Sequence, residues 1–201
     1  MHPNVAHATS VGYLRSMADH HREELLERAT DYVLEHGLIG LSLRPLAAAT
    51  GTSDRMLIYH FGNRDALVSA VVARCNERAM AAVAALPSAP TVRSGVNRLW
   101  AAYRTELLSS CMDVYCQAAA TGLIGQEPYL TDARASAELW VTTLQQYLVR
   151  CGAPPRRVAR IVTLVDSALY GFHLDLIIDD AAELARGVDD LARAAEAIAQ
   201  D

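Results

Sequence analysis

The sequence contains no lysine, few aromatic residues and no paired cysteines. All 18 basic residues are arginine, and aromatic side chains make up 6% of the 201 residues. The four cysteines, Cys75, Cys111, Cys116 and Cys151, show no CxxC spacing. Scattered cysteines of this kind predict reduced thiols in a cytoplasmic protein and leave only a weak case for a redox switch between Cys111 and Cys116. Charged residues interrupt every apolar run well short of the roughly 20 residues that a membrane span needs, so we expect no membrane partner.

The motifs of the common enzyme classes are also missing. The chain has no glycine-rich phosphate loop, no GxSxG and no HExxH. His20 and His21 lie close to Glu23 and Glu24, but adjacent residues point in different directions on a helix, so a shared metal ion is a poor explanation. We therefore predict no catalytic residues, no metal site and no cofactor.

The composition favours an all-α protein. Hydrophobic residues make up 52% of the chain, mostly Ala, Leu and Val, and their helical spacing predicts about nine helices and no strand. We expect a loose arm over residues 1–16 and two helical units, the first over 17–66 and the second over 67–201. The first helix is predicted from about Ala18 to His36. Later helices are predicted near 63–86, 92–107, 113–120, 129–151, 154–176 and 180–200.

The segment from Ser42 to Leu67 has the pattern of a helix-turn-helix. Ser42 and Ser53 stand where each of two short helices would begin, and serine side chains cap helix N-termini by accepting from backbone N–H groups. Gly51 between them can adopt the positive φ that ends a helix. Such a pair of helices, joined by a glycine-containing turn, is typical of DNA-binding units.

The second of these helices is amphipathic. Leu57 and Phe61 lie one turn apart and are predicted to face the core. Arg55, Met56, Tyr59 and His60 are predicted to face outward. Arginine can make a bidentate contact to guanine, and methionine an apolar contact to a thymine methyl, so Arg55 and Met56 are the candidate base contacts.

The run LIYHFGNRDAL resembles the signature of the TetR/AcrR family of bacterial one-component transcriptional regulators. The family pattern is Leu, aromatic, Tyr, His or Tyr, Phe, two spacers, Lys, Glu, any residue, Leu. It is matched by Leu57, Ile58, Tyr59, His60, Phe61, Arg64, Asp65 and Leu67, with conservative departures at Ile58, Arg64 and Asp65. The resemblance covers about the first third of the chain.

The resemblance implies a homodimer that binds double-stranded operator DNA. It implies phosphate contacts by Tyr59, His60 and Arg64, and a base or phosphate contact by Arg44; Ser53 completes the expected DNA-binding set. The net charge of −5 is a caution. Up to Asp65 the chain carries six arginines against eight acidic residues, which argues against strong non-specific DNA affinity.

The second part of the chain is expected to hold a small-molecule effector and the dimer interface. Aromatic and neighbouring side chains that the family resemblance makes pocket candidates are Trp100, Tyr103, Met112, Tyr115, Trp140, Tyr147, Tyr170 and His173. His173, in an apolar helix, is equally explained as a core histidine. The candidate dimer residues, on the last two long helices, are Val158, Ile161, Val165, Ala168, Gly171, Phe172, Leu184 and Leu191.

We therefore expect a repressor that an effector releases from its operator, with helix four transmitting the change. Activation, which is known in the family, stays open. Two other functions also remain open. The first is a ligand-independent dimeric DNA-binding module, whose core would be fully packed. The second is an all-α enzyme or ligand carrier.

Overall fold

Helices account for the architecture throughout the computed structural model, which describes the backbone of residues 5–201 and the side chains of residue 17 and residues 19–201. No strand occurs within residues 5–201, and the all-α prediction is confirmed. The nine helices described are α1 (Val5–His36), α2 (Leu43–Ala49), α3 (Asp54–Phe61), α4 (Arg64–Ala84), α5 (Val92–Tyr103), α6 (Glu106–Leu123), α7 (Tyr129–Arg150), α8 (Val158–Asp175) and α9 (Ala181–Gln200).

The first helix begins earlier than predicted. Residues 5–16 were expected to form a loose arm, but α1 starts at Val5, and only residues 1–4 of that arm lie outside the described part. The segment consists mainly of residues that helices tolerate. A glycine inside a helix, here Gly12, costs only about 1 kcal/mol relative to alanine, which is too little to end the helix alone.

Only one of the two predicted serine caps is present. Ser53 Oγ accepts from the backbone N–H of Met56 at 3.3 Å and caps α3. Ser42 occupies the equivalent position before α2, but its side chain makes no capping hydrogen bond, so that prediction is wrong. Gly51, at φ +72°, forms the turn between the two helices as expected.

A shared core holds the first three helices together. Ala29 and Val33 of α1, Leu46 of α2 and Leu57 of α3 are all completely buried. Burying a valine or leucine side chain contributes about 1.5–3 kcal/mol relative to exposure. This packing fixes the direction in which the opposite side of α3 faces.

Helix α4 links this unit to the rest of the chain. It packs against α1 and α3 of this unit and against α6 and α7 of the rest of the chain. In the second part, α5 packs on α9, α6 on α7, and α8 on α9. The short helix predicted over 113–120 is wrong in length, because α6 starts at Glu106 directly after the Arg104–Thr105 turn that ends α5.

Candidate nucleic-acid interface and ligand cavity

The outer side of α3 carries three exposed side chains over a buried core. Tyr59 is 75% exposed, Met56 is 38% exposed, and Arg55 is exposed beside them. On the opposite side, Leu57 has no exposed surface and Phe61 is 7% exposed. The structure therefore divides α3 as the sequence predicted, with a polar and aromatic face toward solvent.

Two further predicted DNA contacts lie beside this face. Arg44 is exposed on α2. Arg64, at the start of α4, is half-buried, and its Nη2 donates to the carbonyl oxygen of Leu41 at 3.1 Å. Arg64 therefore also fastens the beginning of α4 to the turn before α2.

His60 does not face outward as predicted. Its ring lies against His21 of α1 with centroids 5.1 Å apart, and its Nε2 is buried and unpaired within the described structure. Burial lowers the pKa of His60, and the nearby His21 and Arg22 lower it further. The half-buried ring packs against α1, which corrects the predicted outward position. The helical turn that exposes Tyr59 points the next residue toward α1.

Three of the six acidic residues of α1 pair with arginines of α4. Arg74 contacts Glu27 and lies 2.7 Å from Glu23. Arg78 contacts Glu27 too and lies 2.6 Å from Asp31. The negative charge that argued against DNA binding is therefore neutralised in part at the α1–α4 contact, which is a location the sequence did not indicate.

An internal cavity of about 270 Å³ lies between α4, α6, α7 and α8. This volume is near the lower end of the range for small-molecule sites. Its walls are mainly apolar and aromatic, with several polar side chains. They are formed by Val72, Cys75, Asn76, Ala79, Cys111, Met112, Val114, Tyr115, Ser136, Ala137, Trp140, Asp166, Ser167 and Tyr170.

Four of the eight predicted pocket residues line this cavity: Met112, Tyr115, Trp140 and Tyr170. The other four, Trp100, Tyr103, Tyr147 and His173, pack elsewhere, so the prediction is wrong for them. Burial raises the pKa of Tyr170 to about 12 and also raises that of Tyr115, so both phenols keep their protons at neutral pH.

Tyr103 and Tyr147 are completely buried side chains of the core. Tyr103 packs edge-to-face behind Trp140, with ring centroids 6.0 Å apart. Tyr147 donates its hydroxyl to the carbonyl oxygen of Gly95 at 3.1 Å. Neither ring reaches the cavity, because each fills the space between helices.

Trp100 and His173 are also outside the cavity wall. Trp100 packs edge-to-face against Phe172 at 6.1 Å. His173 Nε2 lies 2.9 Å from Asp113 Oδ1, so this histidine is a paired core residue, the alternative that the sequence left open.

The sequence analysis missed the most polar part of the cavity. Asp166, Asn76 and Ser136 were not predicted, yet all three line the cavity. One signal was present for Asp166. It follows Val165 on an otherwise apolar stripe of α8, where an acidic residue facing inward is uncommon.

Most predicted dimer residues are also corrected. Ile161 and Val165 have no exposed surface, and Val158, Leu184 and Leu191 are at most 8% exposed within the single chain. Phe172 is half-buried against Trp100. The five buried side chains pack α8 and α9 on their own core, so they offer little surface to a second copy. Ala168 and Gly171 stay partly accessible. A Cβ atom placed at Gly171 would meet no neighbouring side chain within 4 Å.

The described part of the chain contains neither a metal-binding cluster nor a membrane-spanning helix. No group of three or more His, Cys, Asp or Glu side chains there is arranged to hold a metal ion. None of the helices described combines the length and the apolar character that crossing a membrane requires.

Comparison with known proteins agrees with this architecture. The family model for bacterial regulatory proteins of the tetR family matches residues 25–71. No sequence among the curated proteins matches the chain. The matched segment ends within α4, so it contains the complete α2–α3 motif.

Solved structures share the fold of the whole chain at low sequence identity. A protein from Rhodococcus sp., assigned provisionally to the TetR-family transcriptional regulators, is 20% identical with a TM-score of 0.67, over 89% of this chain and 97% of that one. Salmonella enterica GusR is 16% identical with a TM-score of 0.64, over 90% and 95%. The multidrug binding protein EbrR, solved with proflavin, is 21% identical with a TM-score of 0.63, over 86% and 98%. Residues 25–71 thus match the model of the tetR family, and the chain shares the fold of these solved structures.

Proposed function

We propose that the protein is a dimeric repressor that binds operator DNA through α3 and is released by a small molecule bound in the cavity. It acts as a regulator and not as an enzyme. The observation that carries the DNA-binding part is the division of α3. Its buried side, Leu57 and Phe61, anchors the helix, and its exposed side presents Arg55, Met56 and Tyr59. Arginine and methionine suit base edges in the major groove, and a tyrosine hydroxyl suits a phosphate.

Two helices connect the cavity to the DNA-binding unit. Helix α4 contributes Val72 and Cys75 to the cavity wall and begins directly after the motif. Helix α6 contributes Met112 and Tyr115, and its Gln117 bonds the turn after α1. An effector can shift DNA affinity only by binding one arrangement of these helices more tightly than another. The solved EbrR complex with proflavin supports an effector site in a protein of this fold.

A dimer places two copies of α3 on successive turns of one DNA face, about 34–36 Å apart. The accessible side of α8 is the candidate surface for this dimer. It presents Leu164, Ala168, Gly171 and Leu174, of which Leu164 is 37% and Leu174 is 42% exposed. Small residues at two of these four positions allow helices of the two copies to approach closely.

The direct test is fluorescence anisotropy with labelled DNA from upstream of the protein's own gene, against scrambled DNA at physiological salt. Tight binding to the first DNA alone is expected. Arg55→Ala and Tyr59→Ala should each weaken it at least tenfold, or about 1.4 kcal/mol. Arg156→Ala removes an exposed arginine ahead of α8 and serves as the charge-matched control.

Equal losses in Arg55→Ala and Arg156→Ala would contradict recognition by α3 and indicate a general effect of charge. If upstream DNA is not bound, selection from genomic fragments extends the search to operators elsewhere. Failure to recover any specific fragment would overturn the regulator proposal in favour of an all-α carrier or enzyme. The cavity weighs against the other alternative, a ligand-independent dimeric DNA-binding module with a fully packed core.

A further inference from the structure

The cavity wall contains one ionisable acid and no basic side chain. Asp166 is the acid, and the wall includes neither arginine nor histidine. Asp166 Oδ1 accepts from Trp140 Nε1 at 2.9 Å. No arginine or histidine nitrogen of the described side chains lies within 4.0 Å of the Asp166 carboxylate. Its charge is therefore left without a cationic partner.

This arrangement is costly in the unliganded protein. A buried carboxylate needs a charge partner or several hydrogen bonds to offset the loss of hydration. Trp140 supplies one hydrogen bond, and burial raises the pKa of Asp166 even though that bond lowers it. A positively charged group entering the cavity would supply the missing partner.

The aromatic side chains around Asp166 suit the same kind of ligand. Tyr115 and Tyr170 lie edge-to-face with ring centroids 5.9 Å apart, and both line the cavity with Trp140. A cation within about 6 Å of an aromatic face gains about 0.5–2 kcal/mol, with the larger values at sites without water. Asn76 and Ser136 add neutral polar groups to the wall.

We propose that the cavity binds a small organic cation, an amine or quaternary ammonium on an apolar or aromatic body, with its charge against Asp166 and its body among Tyr115, Trp140 and Tyr170. The assignment deepens the proposed function, because it names the chemical class of the effector. An anionic ligand is disfavoured, since its charge would face the Asp166 carboxylate without a basic side chain to balance it. A neutral ligand leaves the carboxylate unpaired.

The test uses probes of matched size and opposite or absent charge. Isothermal titration calorimetry at pH 7.5 compares 2-phenylethylamine with neutral 2-phenylethanol and anionic phenylacetate. It also compares benzyltrimethylammonium with its neutral isostere neopentylbenzene. The full chain is used throughout. The cation of each set should bind at least tenfold more tightly than the other probes of that set.

Asp166→Asn is the decisive variant, because asparagine keeps an acceptor for Trp140 and removes the charge. It should abolish the preference for the cation. Asp132→Asn is the matched control, since Asp132 is another partly buried carboxyl whose pKa is raised by burial, but it pairs with Ser69 Oγ at 2.8 Å and lies outside the cavity. This control should keep the preference.

Three results would overturn the cation assignment: equal binding of charged and neutral probes, tighter binding of a neutral or anionic probe, or no binding of either cation. Retention of the preference in Asp166→Asn would do the same. Operator binding, measured on the same preparation, separates this failure from that of the proposed function. Specific DNA binding without cation binding would overturn only the proposal of a cationic effector. Cation binding by a protein that selects no DNA would overturn only the proposal of a transcriptional regulator.

Discussion

The side-chain oxygen Oε1 of Gln117 on α6 lies 2.7 Å from the backbone nitrogen of Leu38, 79 residues earlier in the chain. The same oxygen accepts from Ile39 N at 2.8 Å. One side chain of the second part of the chain therefore holds the turn that separates α1 from α2. Tyr115, two residues before Gln117, lines the cavity, so a shift of α6 at the cavity would reach this turn directly.

Gln117→Leu should loosen this turn and weaken the response of DNA binding to the effector. Leucine cannot accept from either N–H, and an unpaired, partly buried donor costs about 1–3 kcal/mol. Faster hydrogen exchange at Leu38 and Ile39 is the expected signature. Gln117→Glu keeps an accepting oxygen and should retain slow exchange. Unchanged hydrogen exchange at Leu38 and Ile39 in Gln117→Leu would show that this contact does not couple α6 to the turn.

Substitutions on the buried face of α3 should lower stability, and substitutions on its exposed face should lower DNA affinity. Leu57→Ala removes a completely buried side chain and should lower the free energy of unfolding by about 2–5 kcal/mol. Tyr59→Ala removes a side chain that is 75% exposed and should change that free energy by less than about 0.5 kcal/mol while reducing operator affinity. Urea unfolding measures the first effect and anisotropy the second. A large loss of stability in Tyr59→Ala would mean that the face is structural.

Asp166→Asn should stabilise the unliganded protein. The variant replaces a partly buried carboxylate that has no cationic partner with a neutral amide, which removes a penalty on the order of 1 kcal/mol. For a chain of this size that corresponds to a rise of about 2–4 °C in Tm. Differential scanning calorimetry at pH 7.5 without ligand is the measurement. A lower Tm would indicate that the carboxylate has a structural partner in solution.

The stability of the DNA-binding unit should fall as the solution is made acidic, partly through His60. Its pKa in the folded chain lies below the ordinary value of 6.5, mainly because of burial. Between these two pKa values the unfolded chain binds the proton more readily. The contribution of His60 is therefore complete above about pH 6.5 and is lost as the pH falls through the lower, folded value.

His60→Gln should accordingly show a smaller drop in Tm between pH 7.5 and pH 5 than the unchanged protein. The difference should stay below about 2–4 °C, the shift that 1 kcal/mol produces, because the ring is only half-buried and solvent screens its neighbours. His20→Gln is the control, since the side chain of His20 is 78% exposed. An equal drop in both variants would exclude His60 as the source.

Local patterns in the sequence predicted the helix-turn-helix well. The Ser53 cap and the one-turn spacing of Leu57 and Phe61 depend only on residues within the same short helix. The cavity was predicted only in part, because Asp166 meets Trp140 across 26 residues and two helices. His60 was misplaced for a related reason, since its direction is set by α1, which no local pattern of α3 contains.

Between Val72 and Ala79, α4 both lines the cavity and contacts α1. Cys75 and Asn76 line the cavity, while Arg74 and Arg78 hold the acidic side of α1. Any substitution here that reshapes the cavity therefore also disturbs the attachment of the DNA-binding unit. The cavity walls from α7 and α8 do not also hold α1, because α7 and α8 mainly contact α4 and the helices of the second part. Divergence toward new effectors is expected to concentrate on Ser136, Ala137 and Ser167, where ligand preference can drift while the link to DNA stays intact.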